Sequence, residues 1–223
     1  ADTLNGGLGT DRLNGGNGAD LYLIGSGSEH PAAEIADSGL SGSDELRFTS
    51  TTAADTLTLF AGDTGLDTVL IGTGSGPLAD STGTTALAVN AAAAVNALAI
   101  TGNAGANTIT GTTAVDTLNG GEGNDVYIIA SSTHHSAAEI ADSGLGGSDE
   151  LRAPQTITTN SINASNGNID KLKARQINSK VLTKANFLAN SAAAFTCSRL
   201  DGLFVAFNDA RDGYQKNTDA LVF

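Results

Sequence analysis

A nine-residue period in the first two thirds of the chain is the feature that most restricts its fold. Residues 6–14 read GGLGTDRLN and residues 15–23 read GGNGADLYL, and residues 102–128 hold three more such units in succession. Glycines at the start of a unit permit the positive φ angles of tight turns. The residues after the aspartate alternate polar and apolar, as in a short half-buried strand. Each unit is therefore predicted to form one turn and one short strand, with two units completing one coil.

A longer repeat encloses the short one. The segment AAEIADSGLSGSDELR at 32–47 returns as AAEIADSGLGGSDELR at 137–152, which is 105 residues later. The segment LNGGNGADLYLI at 13–24 returns at the same offset as LNGGEGNDVYII at 118–129. Single nonapeptides also stand at 39–47, 62–70 and 144–152. Two related long units are therefore predicted within the array, as in proteins built from structural repeats.

Charge divides the chain at the end of this array. The whole chain has 24 Asp and Glu against 11 Lys and Arg, a net charge of −13. Residues 1–152 hold 19 acidic and three basic side chains, a net charge of −16, whereas residues 153–223 carry +3. We therefore predict a boundary near Pro154, with two related units (about 1–104 and 105–152) before it. The remainder is predicted to be a small C-terminal cap that covers the open sheet edge.

Between the repeats, short runs rich in Thr, Val, Ile and Leu predict further strands of the same solenoid. These runs lie at 21–24, 44–49, 55–59, 67–71 and 97–101. Residues 72–85 are interpreted as an irregular insertion. The Ala-rich stretch 86–99 fits a helix as well, but a strand is favoured because nonapeptides follow it directly.

Composition excludes several classes of function. A strongly acidic surface repels phosphate backbones and anionic membranes, so nucleic acid is not an expected partner. No apolar run approaches the ~20 residues that a membrane span needs. One cysteine rules out a disulfide framework, and the HExxH and GxSxG motifs are missing, so no enzyme activity is expected.

The aspartate at the sixth position of the nonapeptide contributes to the acidity of the array. Turns of successive coils stack, so these carboxylates and the carbonyl oxygens of the turns gather at one edge. Ca²⁺ requires such oxygen ligands at about 2.3–2.6 Å, whereas softer metals prefer Cys and His. For a single Gly-Asp turn a plain β-hairpin is the favoured interpretation, because Asn-Gly is a common hairpin signal. Tandem copies favour Ca²⁺. The degenerate turns at 62–70 and 111–119 have two alternative interpretations, as calcium sites or as metal-free coils of the solenoid.

The pattern GGxGxDxUx, with U apolar, resembles the RTX (repeat-in-toxin) calcium-binding family. The resemblance covers most of residues 1–152 and is clearest at 6–23 and 111–128. It implies an all-β fold, a parallel β-roll or β-solenoid with calcium ions between stacked turns. It also implies which atoms bind each ion. One turn supplies its aspartate and the carbonyl oxygens at positions two and four. The turn two nonapeptides later supplies its own aspartate and the carbonyl oxygens at positions one and three.

Carried onto this sequence, the resemblance implies three groups of ligands. The first group joins Gly7, Gly9 and Asp11 to Ile24, Ser26 and Glu29. The second starts from Gly16, Gly18 and Asp20. No clean partner turn lies two nonapeptides downstream of it, so it is expected to stay incomplete. The third joins Asn103, Gly105 and Asn107 to Gly120, Glu122 and Asp125.

Several of these positions depart from the family pattern. Asn107 replaces an aspartate, which removes a charge and predicts weaker binding there. Asp116 is paired by the same rule with His134, which is a poor calcium ligand. The single nonapeptides add the aspartates Asp44, Asp67 and Asp149 as further candidate ligands.

Two functional classes fit this reading. The favoured one is an extracellular structural or adhesive module of a bacterial surface, filament or S-layer-type protein that folds on binding calcium. The alternative is the non-catalytic secretion and folding domain of a type I-secreted exoenzyme or toxin. Because the array starts in the middle of a repeat, the chain is expected to be a fragment or a processed product of a secreted protein. The open sheet edge at its start predicts self-association.

Overall fold

The computed structural model describes residues 1–39, 41–129, 139–144, 146–157, 169–177, 182–183, 194–197 and 205–206. Short strands make up nearly all of the regular structure in these residues. The first ten are β1 (Thr3–Leu4), β2 (Leu21–Ile24), β3 (Glu45–Phe48), β4 (Thr56–Thr58), β5 (Thr68–Ile71), β6 (Ala88–Asn90), β7 (Ala99–Thr101), β8 (Thr108–Thr110), β9 (Thr117–Asn119) and β10 (Val126–Ile128). They are followed by β11 (Asp149–Ile157), β12 (Ile169–Ile177), β13 (Leu182–Thr183), β14 (Ala194–Cys197) and β15 (Val205–Ala206). A short 3-10 turn spans Gly27–Glu29.

The strands of the array are shared between two parallel sheets. The six-stranded sheet has the order β1-β2-β3-β5-β7-β9, and the seven-stranded sheet has the order β14-β12-β11-β10-β8-β6-β4. From β3 to β10 successive strands alternate between the two sheets. Each new strand pairs in parallel with the strand one coil earlier. This winding confirms the parallel β-roll that the nonapeptides predict.

The two long units enter different sheets. Strand β2 belongs to the six-stranded sheet, whereas β10, its counterpart in the second unit, belongs to the seven-stranded sheet. Because the chain changes sheet at every half-coil, a unit of this length contains an odd number of half-coils. Nearly identical sequences therefore occupy opposite sheets.

Coil length is not constant along the solenoid. Thr3 pairs with Leu21, and Ala99 pairs with Thr117, so each of these coils has the length of two nonapeptides. Leu21 pairs with Glu45, however, which makes that coil six residues longer. The equivalent coil in the second unit, from β10 to β11, is extended by the same amount. The extra residues come from the repeated AAEIADSGL segment, which is longer than a nonapeptide turn.

Buried side chains at matching register positions form the core. In the six-stranded sheet, these side chains are Tyr22, Leu46, Val69, Ile100 and Leu118. In the seven-stranded sheet, they are Leu57, Val89, Ile109, Tyr127 and Leu151. Each buried apolar side chain of this size contributes about 1.5–3 kcal/mol of transfer free energy. The two ladders therefore hold the coils together along the whole array.

The strand runs predicted from composition are confirmed. The runs at 21–24, 44–49, 55–59, 67–71 and 97–101 contain β2, β3, β4, β5 and β7. Residues 72–85 are irregular apart from an antiparallel bridge between Thr73 and Asp80. The Ala-rich stretch holds β6 and turns rather than a helix.

Strand pairing continues past the predicted boundary of the array. Strand β11 runs through residue 152, and β12 and β14 extend the same sheet. Strands β13 and β15 form a separate parallel pair. The division into an array and a cap stays a prediction. Among the described residues, there is no long apolar helix of the kind that crosses a membrane.

Candidate metal centre

Three buried aspartates meet where the chain enters the six-stranded sheet. Asp20 immediately precedes β2 and Asp44 immediately precedes β3, so the stacking of these strands places one above the other. Asp37 joins them from the longer turn between the two strands. One carboxylate oxygen of each residue lies within 4.8 Å of the others. Such a group of oxygens matches the donor set that Ca²⁺ prefers.

A second cluster of the same kind lies where the chain enters the seven-stranded sheet. Asp125 precedes β10, Asp149 is the first residue of β11, and Asp142 comes from the turn between them. Their carboxylate oxygens also lie within 4.8 Å of one another, and all three residues are buried. Each member stands 105 residues after a member of the first cluster. The long repeat therefore reproduces the whole cluster.

Backbone hydrogen bonds fix the orientation of these carboxylates. The N–H of Asp20 donates to Asp44 Oδ1 at 2.8 Å, and the N–H of Asp125 donates to Asp149 Oδ1 at 2.8 Å. Other oxygens in the clusters are buried and have no hydrogen-bond partner: Asp20 Oδ2, Asp125 Oδ2 and Asp142 Oδ2. A buried, unpaired carboxylate oxygen is costly unless a cation neutralises it. The residues present therefore fit a bound calcium ion.

Glycines let the backbones of the stacked turns approach each other. A Cβ atom placed on Gly42 would lie 1.9 Å from the carbonyl oxygen of Gly18, and one on Gly147 would lie 1.6 Å from that of Gly123. Gly42 has a φ of 112°, a region that other residues rarely adopt. Only glycine fits these two positions, so the repeated GSDELR segments need the glycine with which they begin.

Burial raises the pKa of three of the clustered carboxyl groups, those of Asp44, Asp125 and Asp149. The pKa of Asp125 rises to about 7 because of burial and then of the nearby charge of Asp142. Burial also raises the pKa values of Asp149 and Asp44. For Asp37, burial acts in the same direction, but hydrogen bonds outweigh it and hold the pKa below its usual value. The Tyr22 hydroxyl, 2.5 Å from Asp37 Oδ2, makes the largest of these contributions.

In the absence of calcium, we expect the chain to become more stable as the pH falls from 8 to about 5. The pKa of Asp125 is about 7 in the folded chain and 3.8 as an unperturbed group. Protons therefore bind the folded state more tightly across this range. Their stabilising effect is absent well above pH 7 and grows as the pH falls toward about 4. Thermal unfolding in EGTA measures the effect, and Asp125→Asn should flatten it. A melting temperature that falls between pH 8 and 5 would contradict this expectation.

The structure corrects one expectation about the second ligand group. Asp20 was expected to lack a downstream partner, but Asp44 meets it 24 residues later. The N–H of Gly18 also donates to the carbonyl of Ser41, at 2.8 Å. A fixed spacing of two nonapeptides misses this pairing because the longer coil moves the partner turn by six residues. Of the predicted ligands, the structure thus brings Asp20 to Asp44 and Asp125 to Asp149.

The turn around Asn107 stacks on the turn of Asp125, as the third group requires. The N–H of Asn107 donates to Asp125 Oδ1 at 2.7 Å. Cβ atoms on Gly121 and Gly123 would lie within 3 Å of the carbonyl oxygens of Asn103 and Gly105. The amide of Asn107 donates to Asn103 Oδ1 and to the Leu87 carbonyl. The side chain of Asn107 is therefore satisfied by hydrogen bonds, whereas an aspartate at this position would carry a charge that a cation would have to neutralise. Gly120 and Glu122 lie in the facing turn, and their ligand role stays a prediction.

The first group is less compact. Gly7 and Gly9 take positive φ angles, and Asp11 Oδ2 is buried without a hydrogen bond. Glu29 instead accepts a 2.7 Å hydrogen bond from Gly25 in its own turn. In the described residues, neither Asp11 nor Glu29 belongs to a three-carboxylate cluster. Ile24 ends β2 and Ser26 lies in the turn after it, so ligation by this group stays a prediction.

Two other predicted ligands have different surroundings. The Asp116 carboxylate accepts hydrogen bonds from the N–H of Leu98 and from the N–H and hydroxyl of Thr112. Its predicted partner His134 lies outside the described residues. Asp67 is exposed and accepts a 2.9 Å hydrogen bond from the N–H of Asp44. Asp20, Asp44 and Asp67 thus follow one another in successive coils, each joined to the next by a hydrogen bond from its N–H to the next carboxylate.

Asp37 and Asp142 complete the two clusters, and the nonapeptide rule did not find them. Both lie in the AAEIADSGL segment, before the glycine of a single nonapeptide. The signal was the near-identical return of that segment at the offset of 105 residues. A strict repeat outside the nonapeptides indicates that residues beyond the nonapeptide turns are also needed at the site.

Comparison with known proteins gives one match. The family model for the RTX calcium-binding nonapeptide repeat (4 copies) matches residues 1–28 and 100–128. These ranges contain Asp20 and Asp125, the first member of each cluster, while the other members lie outside them. No curated protein and no solved structure matches the chain.

Proposed function

We propose that this chain, an RTX-repeat protein with calcium-binding nonapeptides, is an extracellular structural or adhesive module that folds when it binds calcium. The proposal places it in a bacterial surface, filament or S-layer-type protein, with no catalytic role. The observation that carries it is the pair of aspartate clusters, Asp20–Asp37–Asp44 and Asp125–Asp142–Asp149.

The clusters make calcium a source of folding free energy. Each brings three buried carboxylates together, and several of their oxygens have no hydrogen-bond partner. Without a cation, mutual repulsion and desolvation oppose the folded state. An ion that binds only the folded chain stabilises it by mass action. Extracellular calcium modules bind with dissociation constants of about 10⁻⁴–10⁻³ M, so calcium outside a cell would fill such sites.

Duplication of the long unit supports a structural role over the secretion domain of an exoenzyme. The second unit repeats the cluster, the turn glycines and the core tyrosine, Tyr22 becoming Tyr127. A solenoid that is extended in this way gains length and calcium sites. Extra length is useful in an adhesive or filamentous module, whereas a secretion domain gains nothing specific from repeating the whole unit.

Far-UV circular dichroism and size-exclusion chromatography in EGTA and in excess Ca²⁺ test the proposal. We expect an expanded chain with little β signal in EGTA, and a compact β-rich chain in calcium. Mg²⁺ at the same concentration is the control, because Mg²⁺ demands closer octahedral geometry and gives up its water reluctantly. A β spectrum and an elution volume that are identical in EGTA and in calcium would refute calcium-dependent folding. The same columns, run at several protein concentrations, test the predicted self-association.

A further inference from the structure

A buried histidine lies apart from the two aspartate clusters. His30 and Glu34 belong to the turn that follows β2, and Asp63 belongs to the turn after β4. All three side chains are fully buried. The ring of Phe60 packs against the imidazole, with the ring centroids 5.7 Å apart. With solvent excluded, the charges of this group must be balanced by the group itself.

Asp63 fixes the proton on one ring nitrogen. His30 Nε2 lies 3.0 Å from Asp63 Oδ2. The Asp63 carboxylate also accepts hydrogen bonds from the N–H groups of Phe60 and Glu34, at 2.7 and 3.0 Å. Asp63 is thus the acceptor of several hydrogen bonds, and Nε2 is the ring nitrogen that donates to it.

The other side of the ring faces a second acceptor. His30 Nδ1 lies 3.5 Å from Glu34 Oε2. Neither this nitrogen nor either oxygen of Glu34 has a hydrogen-bond partner. With the ring hydrogen on Nε2, a neutral imidazole presents a lone pair at Nδ1. Two buried lone pairs thus face each other across 3.5 Å, and either a proton on Nδ1 or a metal cation between them would relieve the contact.

We propose that His30 Nδ1 and the Glu34 carboxylate bind a divalent transition-metal ion, with Zn²⁺ as the best fit. Two ligands about 2.1 Å from a tetrahedral ion lie about 3.4 Å apart, close to the separation seen here. A hydrogen bond from the second ring nitrogen to a carboxylate is the usual support of a metal-bound histidine, and Asp63 provides it. Calcium is excluded because it takes oxygen ligands rather than imidazole.

Charge and position agree with this assignment. Glu34 and Asp63 contribute two negative charges around a neutral ring, and a divalent ion cancels both. Among the described residues, no further Asp, Glu, His or Cys joins this pair in a group whose ligand atoms lie within 4.8 Å of one another, so His30 and Glu34 would be the two protein ligands.

The second unit lacks part of this arrangement. The long repeat returns the histidine and the glutamate as His135 and Glu139, but it ends at residue 152 and so includes no counterpart of Asp63. Without a carboxylate to support the metal-bound ring, the second unit is not expected to bind zinc, and the sequence predicts one zinc site per chain rather than two.

Zinc binding to the full chain in excess Ca²⁺ tests the inference. Isothermal titration and metal analysis after dialysis should give one tightly bound Zn²⁺ per chain, and Co²⁺ should give the visible absorption of a tetrahedral site. His30→Ala and Glu34→Gln should abolish tight binding, whereas His134→Ala, which removes another imidazole, should leave it unchanged. Asp63→Asn should weaken it by about 10- to 100-fold, as is typical for loss of a supporting carboxylate.

Nitrogen-15 NMR of the wild-type imidazole keeps the test decisive if a variant fails to fold. Zinc should shift the Nδ1 resonance of His30 and leave Nε2 protonated. Unchanged zinc stoichiometry in folded His30→Ala or Glu34→Gln would overturn the inference. So would a wild-type chain that folds in calcium, binds no zinc and carries a proton on Nδ1. That last result would leave the calcium proposal intact, so the two proposals can fail separately.

Discussion

Replacing Asp149 by asparagine is expected to remove one calcium ion per chain and to leave the other in place. Asparagine keeps an oxygen that can accept the hydrogen bond from the N–H of Asp125, so the turn retains its shape. The variant loses one of three charges that surround the ion. Asp44→Asn should have the same effect on the first cluster, and the double variant should bind neither ion. The two clusters are thus separable by single substitutions.

The expected loss of stability follows from mass action. Calcium at 100 times its dissociation constant stabilises the folded state by about 2.7 kcal/mol per site. If losing one ligand charge weakens binding about 100-fold, the same calcium concentration contributes only about 0.4 kcal/mol at that site. Each single variant should therefore lose about 2 kcal/mol of calcium-dependent stability. The difference between unfolding curves in calcium and in EGTA measures it.

Terbium luminescence provides a direct count of occupied clusters. Tyr22 donates a hydrogen bond to Asp37, and burial and then the charge of Asp142 raise the pKa of Tyr127. The chain has no tryptophan, so these tyrosines are the sensitisers beside the clusters. Each single variant should lose roughly half of the sensitised emission. Asp80→Asn is the matched control, because Asp80 is exposed and its carboxylate accepts hydrogen bonds from nearby Thr82. If Asp80→Asn and Asp149→Asn lose equal emission, the clusters are not the calcium sites.

Alanine at Gly42 is expected to destabilise the chain even in saturating calcium. A Cβ there would overlap the carbonyl oxygen of Gly18, and the φ of 112° is unfavourable for alanine. Backbone strain alone costs about 1–3 kcal/mol, and the overlap adds to it. We expect a loss of more than about 2 kcal/mol, or roughly 4–8 °C in melting temperature for a chain of this size.

Gly76→Ala is the control for this substitution. Gly76 lies in the insertion, has no neighbouring atom within 4 Å of a Cβ, and does not need a positive φ. Its replacement should change the melting temperature little. Gly147→Ala should behave like Gly42→Ala, because Gly147 takes the equivalent place in the second cluster. Equal melting temperatures for Gly42→Ala and Gly76→Ala would show that the stacked turns are looser than described.

The fold was largely predictable because glycine turns and alternating strands constrain the chain locally. The nonapeptides at 6–23 and 102–128 were sufficient to indicate a parallel roll. The pairing of Asp20 with Asp44 was not predictable from the period, since it depends on the length of one coil. That length is set by the strand register, in which Tyr22 lies over Leu46 in the core. Strand register depends on how the coils pack against each other, so it does not follow from a fixed spacing in the sequence.

The site was predictable only in part for a related reason. Asp20, Asp44, Asp125 and Asp149 stand at the sixth position of recognisable turns, so a sequence rule selects them. Asp37 and Asp142 lie in a segment with no turn signature of its own. The folded chain brings them to the clusters by looping the segment back across the turn. The pairing of His30 with Asp63 spans 33 residues, and no local pattern marks it.

An odd number of half-coils in the repeated unit has a consequence for any longer array of such units. Each added unit would present its ion cluster on the flank opposite to the previous one, so clusters would alternate left and right along the rod. An even-numbered unit would line them all on one flank and leave the other without ion clusters. Alternation spreads both the repulsion of the empty clusters and the mechanical support of the filled ones evenly. A rod built in this way would stiffen in calcium without bending toward either side.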